Sequence, residues 1–209
     1  MGRGLAKAQG RVYNYDMKDV KLASDVDFLA ESLGSLPEAV ARPALVVVSG
    51  LPGTGKSYFC ARLAERVPLA VLESDVLRQV LFPVPTYSAD ESFRLFQAIH
   101  HLIEQLLKRG VRVVLDATNL SERYREYLYS IADRLSARLI LVQVEAPPEM
   151  VQARLRRRVK ERNGASEADW AVYERMSTTV EAIHRQHYVL DTSRDITPVL
   201  DKIVKEIER

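Results

Sequence analysis

From residue 44 to the C-terminus, short apolar runs alternate with longer amphipathic stretches. Five runs rich in Val, Leu and Ile predict buried strands at residues 44–48, 68–72, 111–116, 138–144 and 188–191. The stretches between these runs repeat apolar residues three and four positions apart, which predicts helices. Strands that alternate with helices are typical of a doubly wound parallel sheet, in which ligands bind at the carboxyl ends of the strands.

Capping residues mark where several of these helices start. Ser88 and Glu91 have the spacing of a capping box, and the helix that they open is predicted to end near Gly110. Ser121 is predicted to cap the following helix with its side chain. Each of these signals precedes an amphipathic stretch, which supports the alternating pattern.

The segment ahead of the first strand of the sheet has a different pattern. Residues up to about 16 are polar and predict no regular element. One helix is predicted further on, from four apolar residues at helical spacing that are closed by Gly34: Leu22, Val26, Leu29 and Leu33. We therefore expect a helical N-terminal extension over residues 1–42 and a main domain over residues 43–209.

Composition narrows the class of protein. A chain of 209 residues with 47% hydrophobic residues is predicted to fold around one main core. The net charge of +2 provides no general electrostatic attraction for nucleic acid, and the single cysteine, Cys60, excludes an internal disulfide. No apolar run approaches the length of a membrane span, and the N-terminus lacks the apolar core of a signal peptide. We expect a cytoplasmic enzyme that binds no membrane.

The candidate chemistry begins with a glycine-rich segment directly after the first predicted strand of the sheet. Residues 50–57 fit the phosphate-loop pattern G-x-x-x-x-G-K-[ST], and a helix is predicted to follow at once. Backbone N–H groups of such a loop bind phosphate oxygens at a helix N-terminus. The predicted ATP-binding residues are Gly50, Leu51, Pro52, Gly53, Thr54, Gly55, Lys56, Ser57 and Tyr58. Lys56 is expected to reach the β- and γ-phosphates and Ser57 to ligate Mg²⁺.

Two aspartates stand at the ends of later strands. Asp75 ends the second strand of the sheet, where a carboxylate could take the proton of an attacking hydroxyl; the alternative is a cap for the next helix. Asp116 ends the third, where it is expected to hold Mg²⁺ through water, with a strand-end turn as the alternative. Thr118 and Asn119 follow on the loop and could contact the acceptor or the γ-phosphate.

Basic and aromatic residues complete the predicted site. Arg78 lies one turn after Asp75 and could hold a polar or anionic acceptor, and Tyr87 could stack on it. Arg154 and Arg158 share a face of an arginine-rich helix and are expected to belong to a mobile lid at about residues 152–170, where they bind nucleotide phosphates. The alternative for the whole arginine run is a solvated basic face.

Four segments together resemble a group of phosphate-loop kinases that includes polynucleotide 5′-hydroxyl kinase, zeta toxins and small-molecule kinases such as gluconate kinase. The segments are residues 50–57, residues 74–78, residues 115–120, and Pro148-Glu149 followed by Arg154 and Arg158. The resemblance covers about residues 43–195. It implies a P-loop NTPase kinase fold, an α/β five-stranded parallel sheet of order 2-3-1-4-5 flanked by helices, with an arginine-rich helical lid.

The resemblance also implies residue roles and an activity. By analogy with the polynucleotide kinase, Asp75 activates the acceptor hydroxyl, Arg78 contacts the substrate and Arg158 contacts the nucleotide phosphates. The expected activity is transfer of the γ-phosphate of ATP to a hydroxyl, with Lys56, Asp75 and Arg158 as catalytic residues and ATP and Mg²⁺ as cofactors. The low net charge favours a small alcohol, sugar or antibiotic as acceptor. The alternatives are a 5′-hydroxyl polynucleotide end, and an ATPase or nucleotide switch without an acceptor.

Overall fold

The structure is a computed structural model that describes the backbone of residues 5–8, 11–14, 17–161 and 166–209 and the side chains of residues 21–158 and 170–209. The strands are β1 (Leu5–Ala8), β2 (Arg11–Asn14), β3 (Ala44–Ser49), β4 (Ala70–Glu73), β5 (Val113–Asp116), β6 (Arg138–Glu145) and β7 (Tyr188–Asp191). The helices are α1 (Met17–Ser32), α2 (Lys56–Ala64), α3 (Ser74–Leu81), α4 (Ala89–Lys108), α5 (Glu122–Arg134), α6 (Pro148–Glu161), α7 (Ser166–Ser177) and α8 (Thr197–Glu208).

Five parallel strands form the main sheet in the order β4-β5-β3-β6-β7. Counted from β3, this is the order 2-3-1-4-5, so the predicted fold class is confirmed. All six residues of β3 and all four of β5 are buried, as expected for central strands of a parallel sheet covered on both faces. In the register of the sheet, Asp116 of β5 is paired with Val48 of β3 and with Glu73 of β4. The carboxyl ends of these three strands therefore lie side by side.

The N-terminal segment differs from its prediction. Residues up to about 16 were expected to form no regular element, but β1 and β2 pair there as an antiparallel hairpin. The helix expected around Val26 and Leu29 is present as α1, and both of these side chains are buried. Residues 1–4, 9, 10, 15 and 16 of the predicted extension lie outside the described residues. The boundary near residue 42 stays a prediction.

Tertiary contacts divide the chain into two compact units. We name residues 1–35 together with 75–105 the helical unit, and residues 36–74 together with 106–209 the sheet unit. The sheet unit contains the parallel sheet and its core of buried aliphatic side chains. In the helical unit, both nitrogens of the Arg94 fork donate to the Asp25 carboxylate at 2.6 Å, so α1 and α4 are joined by a bidentate pair.

The segment predicted to be a lid is helical on both sides of a gap. α6 and α7 provide the helices, whereas residues 162–165 and the side chains of residues 159–169 lie outside the described part of the chain. Among the helices that the structure describes, none has both the length and the apolar character required to cross a membrane.

Candidate functional site

The phosphate loop has the backbone geometry that its glycines predict. It joins β3 to α2, and Gly55 precedes the helix with a φ of 102°, in the left-handed region that favours glycine. A Cβ on Gly50 would lie 2.4 Å from the backbone oxygen of Val144 in the neighbouring strand. The loop can therefore lie this close to the sheet only with glycine at position 50. The helix that follows begins at Lys56, and a helix N-terminus of this kind can bind an anion.

Two internal hydrogen bonds shape this loop. The buried Thr54 donates its hydroxyl to the carbonyl of Leu51 at 2.8 Å, and the Lys56 ammonium donates to the same oxygen at 3.0 Å. The lysine is thus folded back over the loop, where a bound triphosphate would replace a carbonyl partner with charged oxygens. Ser57 and Tyr58 follow in the first turn of α2 and are exposed.

Arg154 lies on the carbonyl side of the phosphate loop. Its guanidinium donates to the backbone oxygen of Thr54 at 3.2 Å and to the hydroxyl of Thr192 at 2.8 Å, just after β7. A third bond reaches the carbonyl of Thr192 at 3.0 Å, and a longer one the carbonyl of Gly53 at 3.4 Å. These contacts join α6, the end of β7 and the phosphate loop. The phosphate contact predicted for Arg154 stays a prediction.

Arg158 lies one turn further along α6, and its side chain is exposed. Arg156 on the same helix is exposed as well. This exposure is compatible with a contact to nucleotide phosphates and with a solvated basic face, so the role of Arg158 stays a prediction.

Asp116 is a buried carboxylate at the carboxyl edge of the sheet, with 6% of its surface exposed. Burial raises the pKa of the neighbouring Cys60 thiol, and the charges of Asp116 and Glu73 raise it further, so the thiol stays protonated. Asp116 and the Ser57 hydroxyl offer the oxygen donors that Mg²⁺ prefers. Within the described residues, no group of three or more His, Cys, Asp or Glu side chains is arranged to hold a metal ion. The donors fit a Mg²⁺ that also binds nucleotide phosphates and water.

Thr118 and Asn119 are joined to the start of the phosphate loop. Asn119 has a φ of 46° and donates its side-chain amide to the carbonyl of Val48 at 2.7 Å, while Gly50 donates its N–H to the carbonyl of Thr118 at 3.0 Å. The Ser49 hydroxyl donates to the Asn119 carbonyl at 3.0 Å. The side-chain amide of Asn119 is thus engaged with the backbone of β3. A contact of either residue with an acceptor stays a prediction.

The helical unit contains the remaining predicted residues. Asp75 is exposed in the first turn of α3, which begins one residue earlier at Ser74. Asp75 therefore lies within the helix and does not occupy the N-cap position that precedes it. Arg78 is 6% exposed and donates to Glu91 at 2.6 Å, and Tyr87 is 62% exposed.

The predicted capping box is present in part. The Glu91 N–H donates to the Ser88 hydroxyl at 3.3 Å, as in a capping box. The Glu91 carboxylate, however, accepts from the backbone N–H groups of Thr86 and Tyr87, which lie ahead of Ser88. The glutamate therefore organises the loop before the helix as well as the helix start.

Comparison with known proteins places this geometry in a family. A family model described as an AAA domain matches residues 45–183, well over half of the chain. The chain belongs to this AAA-domain family. The match includes the segments that carry the resemblance to phosphate-loop kinases: residues 50–57, 74–78 and 115–120, and Pro148-Glu149 with Arg154 and Arg158.

Solved structures confirm the kinase fold for this AAA-domain protein. A protein named APE1195 superimposes with a TM-score of 0.67 at 20% identity, over 82% of this chain and 98% of its own. The Mycobacterium tuberculosis APS kinase CysC in complex with AMPPNP and APS does so with a TM-score of 0.62 at 18% identity, over 80% and 99%. A gluconokinase from Sinorhizobium meliloti 1021 does so with a TM-score of 0.59 at 19% identity, over 80% and 93%.

A buried arginine that the sequence analysis did not single out joins two loops of the AAA-domain protein. Arg125 of α5 is fully buried and donates to the backbone carbonyls of Asn119, Glu181 and Ala182 at 2.7–2.9 Å. It thereby fixes the loop after β5 to the segment that follows α7. Arg125 lies three residues before the buried Leu128, so a charge on an apolar helix face was the signal that could have found it.

The start of α5 uses a cap different from the predicted one. Ser121 occupies the N-cap position but makes no capping bond with its side chain. Instead, the Glu181 carboxylate accepts from the Glu122 N–H at 2.5 Å and from the Ser121 hydroxyl at 3.2 Å. A carboxylate is favourable at a helix N-terminus because of the helix dipole, so a distant glutamate does what the serine was expected to do.

Proposed function

We propose that this AAA-domain protein transfers the γ-phosphate of ATP to a hydroxyl acceptor. The observation that carries the proposal is a complete phosphate loop at the carboxyl edge of the sheet, beside the buried carboxylate of Asp116. This is the arrangement by which phosphate-loop enzymes bind a nucleoside triphosphate. The kinase fold adds support, since a protein of this fold was solved with AMPPNP and APS.

The predicted site residues of the sheet unit are assigned the following roles in this proposal. Backbone N–H groups of the loop bind the phosphates, and Lys56 moves from the Leu51 carbonyl to the β- and γ-phosphates. Ser57 and Asp116 would hold Mg²⁺, Asp116 through water. When bound, Mg²⁺ would offset the negative charge that builds up between the β- and γ-phosphates. Arg154 positions the loop, and Arg158 contributes positive charge in the transition state.

Asp75 is the proposed general base. The acceptor oxygen bonds to the γ-phosphorus, the bond from that phosphorus to the bridging oxygen breaks, ADP leaves, and Asp75 takes the hydroxyl proton. Support comes from its exposure and from its place two residues after Glu73, which is paired with Asp116 at the sheet edge. Tyr87, Arg78, Thr118 and Asn119 are the remaining residues proposed for the acceptor.

The acceptor that we favour is a small alcohol, sugar or antibiotic. The net charge of +2 supports it, because binding to a polynucleotide usually shows as a strongly basic surface. A 5′-hydroxyl polynucleotide end is the second candidate, favoured by the exposed Arg156 and Arg158 on α6. An ATPase that phosphorylates no acceptor is the third, and it leaves the exposed carboxylate of Asp75 without a role.

Incubation with γ-labelled ATP, Mg²⁺ and a panel of acceptors tests the proposal. The panel contains hexopyranoses, aminoglycosides, nucleosides, open-chain polyols and a 5′-hydroxyl oligonucleotide. We expect label in a small hydroxyl compound with wild-type protein and none with Lys56→Ala. Label in the oligonucleotide alone would select the second candidate. Release of labelled phosphate with every acceptor unlabelled would select the third.

A further inference from the structure

One buried carboxylate organises the loop that joins α3 to α4 in the helical unit. Glu91 accepts hydrogen bonds from the Thr86 N–H and the Thr86 hydroxyl, each at 2.7 Å. It also accepts from the Tyr87 N–H at 3.3 Å and from the Arg78 guanidinium at 2.6 Å. Four donors thus converge on a single side chain, and two of them are backbone groups of the loop over residues 82–88.

The charges in this cluster are sequestered from water. The side chains of Arg78 and Glu91 are 7% and 6% exposed. Burial by itself would raise the pKa of Glu91, but the hydrogen bonds from Thr86, Arg78 and Tyr87 outweigh it and lower the pKa to about 2. The pair is therefore ionised at any working pH, and removal of one partner would leave the other charge buried and uncompensated.

Tyr87 is held by these contacts and is exposed to solvent. Its φ of 55° lies in the left-handed region, which a bulky residue adopts only where its surroundings impose it. The Arg78 guanidinium carbon lies 4.8 Å from the centroid of its ring, a cation–π contact, yet 62% of the residue is exposed. Val84 in the same loop is 83% exposed. The loop thus presents a fixed aromatic ring and an aliphatic side chain to solvent.

We propose that Glu91 is a positioning residue that, with Arg78, holds Tyr87 as a stacking surface for a ring-bearing acceptor. This inference rests on the proposed function and names the class of its acceptor: a sugar or other cyclic alcohol whose apolar face packs on the phenol ring. Stacking on an aromatic side chain that is already fixed costs little conformational entropy, so the surface is worth holding in place. Arg78 then acts from beneath Tyr87, which differs from the direct contact that the resemblance implies.

Hydrogen exchange of the loop tests the positioning role without any acceptor. Glu91→Gln should speed exchange at the Thr86 and Tyr87 amides by about tenfold or more, because a charged acceptor of both N–H groups is lost. Thr86→Val removes only the hydroxyl donor and should give a smaller increase, and it perturbs an exposed residue rather than a buried one. Unchanged exchange in Glu91→Gln would overturn the proposal.

Asp25→Asn is the matched control. It removes the charge of another buried carboxylate that binds an arginine in the same unit, since the Asp25 side chain is 4% exposed and binds Arg94. It leaves the four donors to Glu91 intact. Because Arg94 also stacks on Phe82 at the start of the loop, the comparison is made at the Thr86 and Tyr87 amides, which we expect to exchange at the wild-type rate in this variant. Equal acceleration in Asp25→Asn and Glu91→Gln would mean that general loosening of the helical unit, and not Glu91 itself, controls the loop, which would overturn the proposal.

A double-mutant cycle tests the link to the acceptor. Cyclic acceptors (hexopyranoses, nucleosides and aminoglycosides) are compared with the open-chain polyols glycerol and sorbitol. We expect the label of ATP to be transferred to a cyclic acceptor. Tyr87→Ala and Glu91→Gln should each raise the KM for that acceptor about tenfold and leave the KM for ATP unchanged. The double variant should match Tyr87→Ala alone, because Glu91 acts through Tyr87. Additive effects, or label in the open-chain polyols only, would overturn the proposal. The exchange measurement needs no acceptor, so its result is independent of the proposed function.

Discussion

The phosphate loop of the sheet unit and the loop over residues 82–88 of the helical unit are organised by different means. The first is determined by its backbone: glycines permit a positive φ at Gly55 and a close approach at Gly50. The second is determined by side chains, because Glu91 binds two backbone N–H groups and Arg78 underlies Tyr87. A backbone-determined site suits phosphates, which every nucleotide shares, whereas a side-chain-determined site can be altered residue by residue to suit one acceptor.

We expect the largest effect from loss of the lysine of the phosphate loop. Lys56→Ala should lower phosphoryl transfer by about 10³-fold and weaken ATP binding, because the ammonium is the cation of the loop itself. Initial rates with labelled ATP and binding of a fluorescent ATP analogue would measure both effects. Wild-type rates and affinity in this variant would end the assignment of the nucleotide site.

Arg154→Ala should have the next largest effect, and this effect should be confined to ATP binding and phosphoryl transfer. The variant removes the donors to the carbonyls of Thr54 and Thr192, so the phosphate loop loses its hydrogen bonds to α6, although the Thr192 hydroxyl still donates to the Thr54 carbonyl. We expect ATP to bind about 10²-fold more weakly, while hydrogen exchange in the loop over residues 82–88 stays at the wild-type rate. Faster exchange in that loop would show that the two loops are not organised independently.

Acid should act on the helical unit through His100 of α4. Burial, and secondarily the neighbouring His101, lowers the pKa of His100 to about 4. The folded state therefore binds this proton less readily than the unfolded chain, whose histidine titrates near pH 6.5. The stabilisation is present above pH 6.5 and is lost as the pH falls towards 4, with an expected loss of about 3 kcal/mol in the free energy of unfolding.

Urea unfolding between pH 7 and pH 4 would measure this loss. His100→Gln removes the titrating group, so its free energy of unfolding should fall less over the same pH range. An equal pH dependence in His100→Gln and wild type would show that other groups are responsible. His101→Gln is the matched control, since His101 is the exposed neighbour on the same helix and should keep most of the wild-type pH dependence.

We expect the smallest effect from loss of Arg158 on α6. Arg158→Ala should lower turnover about tenfold and change ATP affinity less, because the proposed contact of Arg158 is needed most where negative charge moves in the transition state. Arg156→Ala, an exposed neighbour on α6, should change turnover little, since water and salt replace its charge. Similar losses in the two variants would show that α6 acts as a basic patch, and this would favour the polynucleotide acceptor.

The geometry of the phosphate loop could be predicted from the sequence because it is local. A strand, eight residues of loop pattern and a helix are contiguous, and the glycines mark where the backbone needs freedom. The sheet order followed from the resemblance and is confirmed. The hairpin of β1 and β2 was missed because neither four-residue strand has a strong apolar pattern, and pairing between strands is a tertiary event.

The side-chain-determined contacts could not be predicted in the same way. Arg125 donates to carbonyls 56 and 57 residues away, and Arg154 to the phosphate loop about 100 residues away. Glu91 was assigned to a capping box, which is correct for its N–H but says nothing of Arg78. Partner choice for a charged side chain depends on which buried groups lack a partner, and this is known only once the chain is folded.

Single-turnover transfer by Asp75→Asn tests most directly whether Asp75 is the general base of the proposed reaction. At saturating labelled ATP and acceptor, we expect transfer that is slower by about 10²-fold or more, with the dissociation constant for ATP unchanged. Normal single-turnover transfer together with a large loss of ATP affinity would contradict this role, because Asp75 would then be a nucleotide or metal residue.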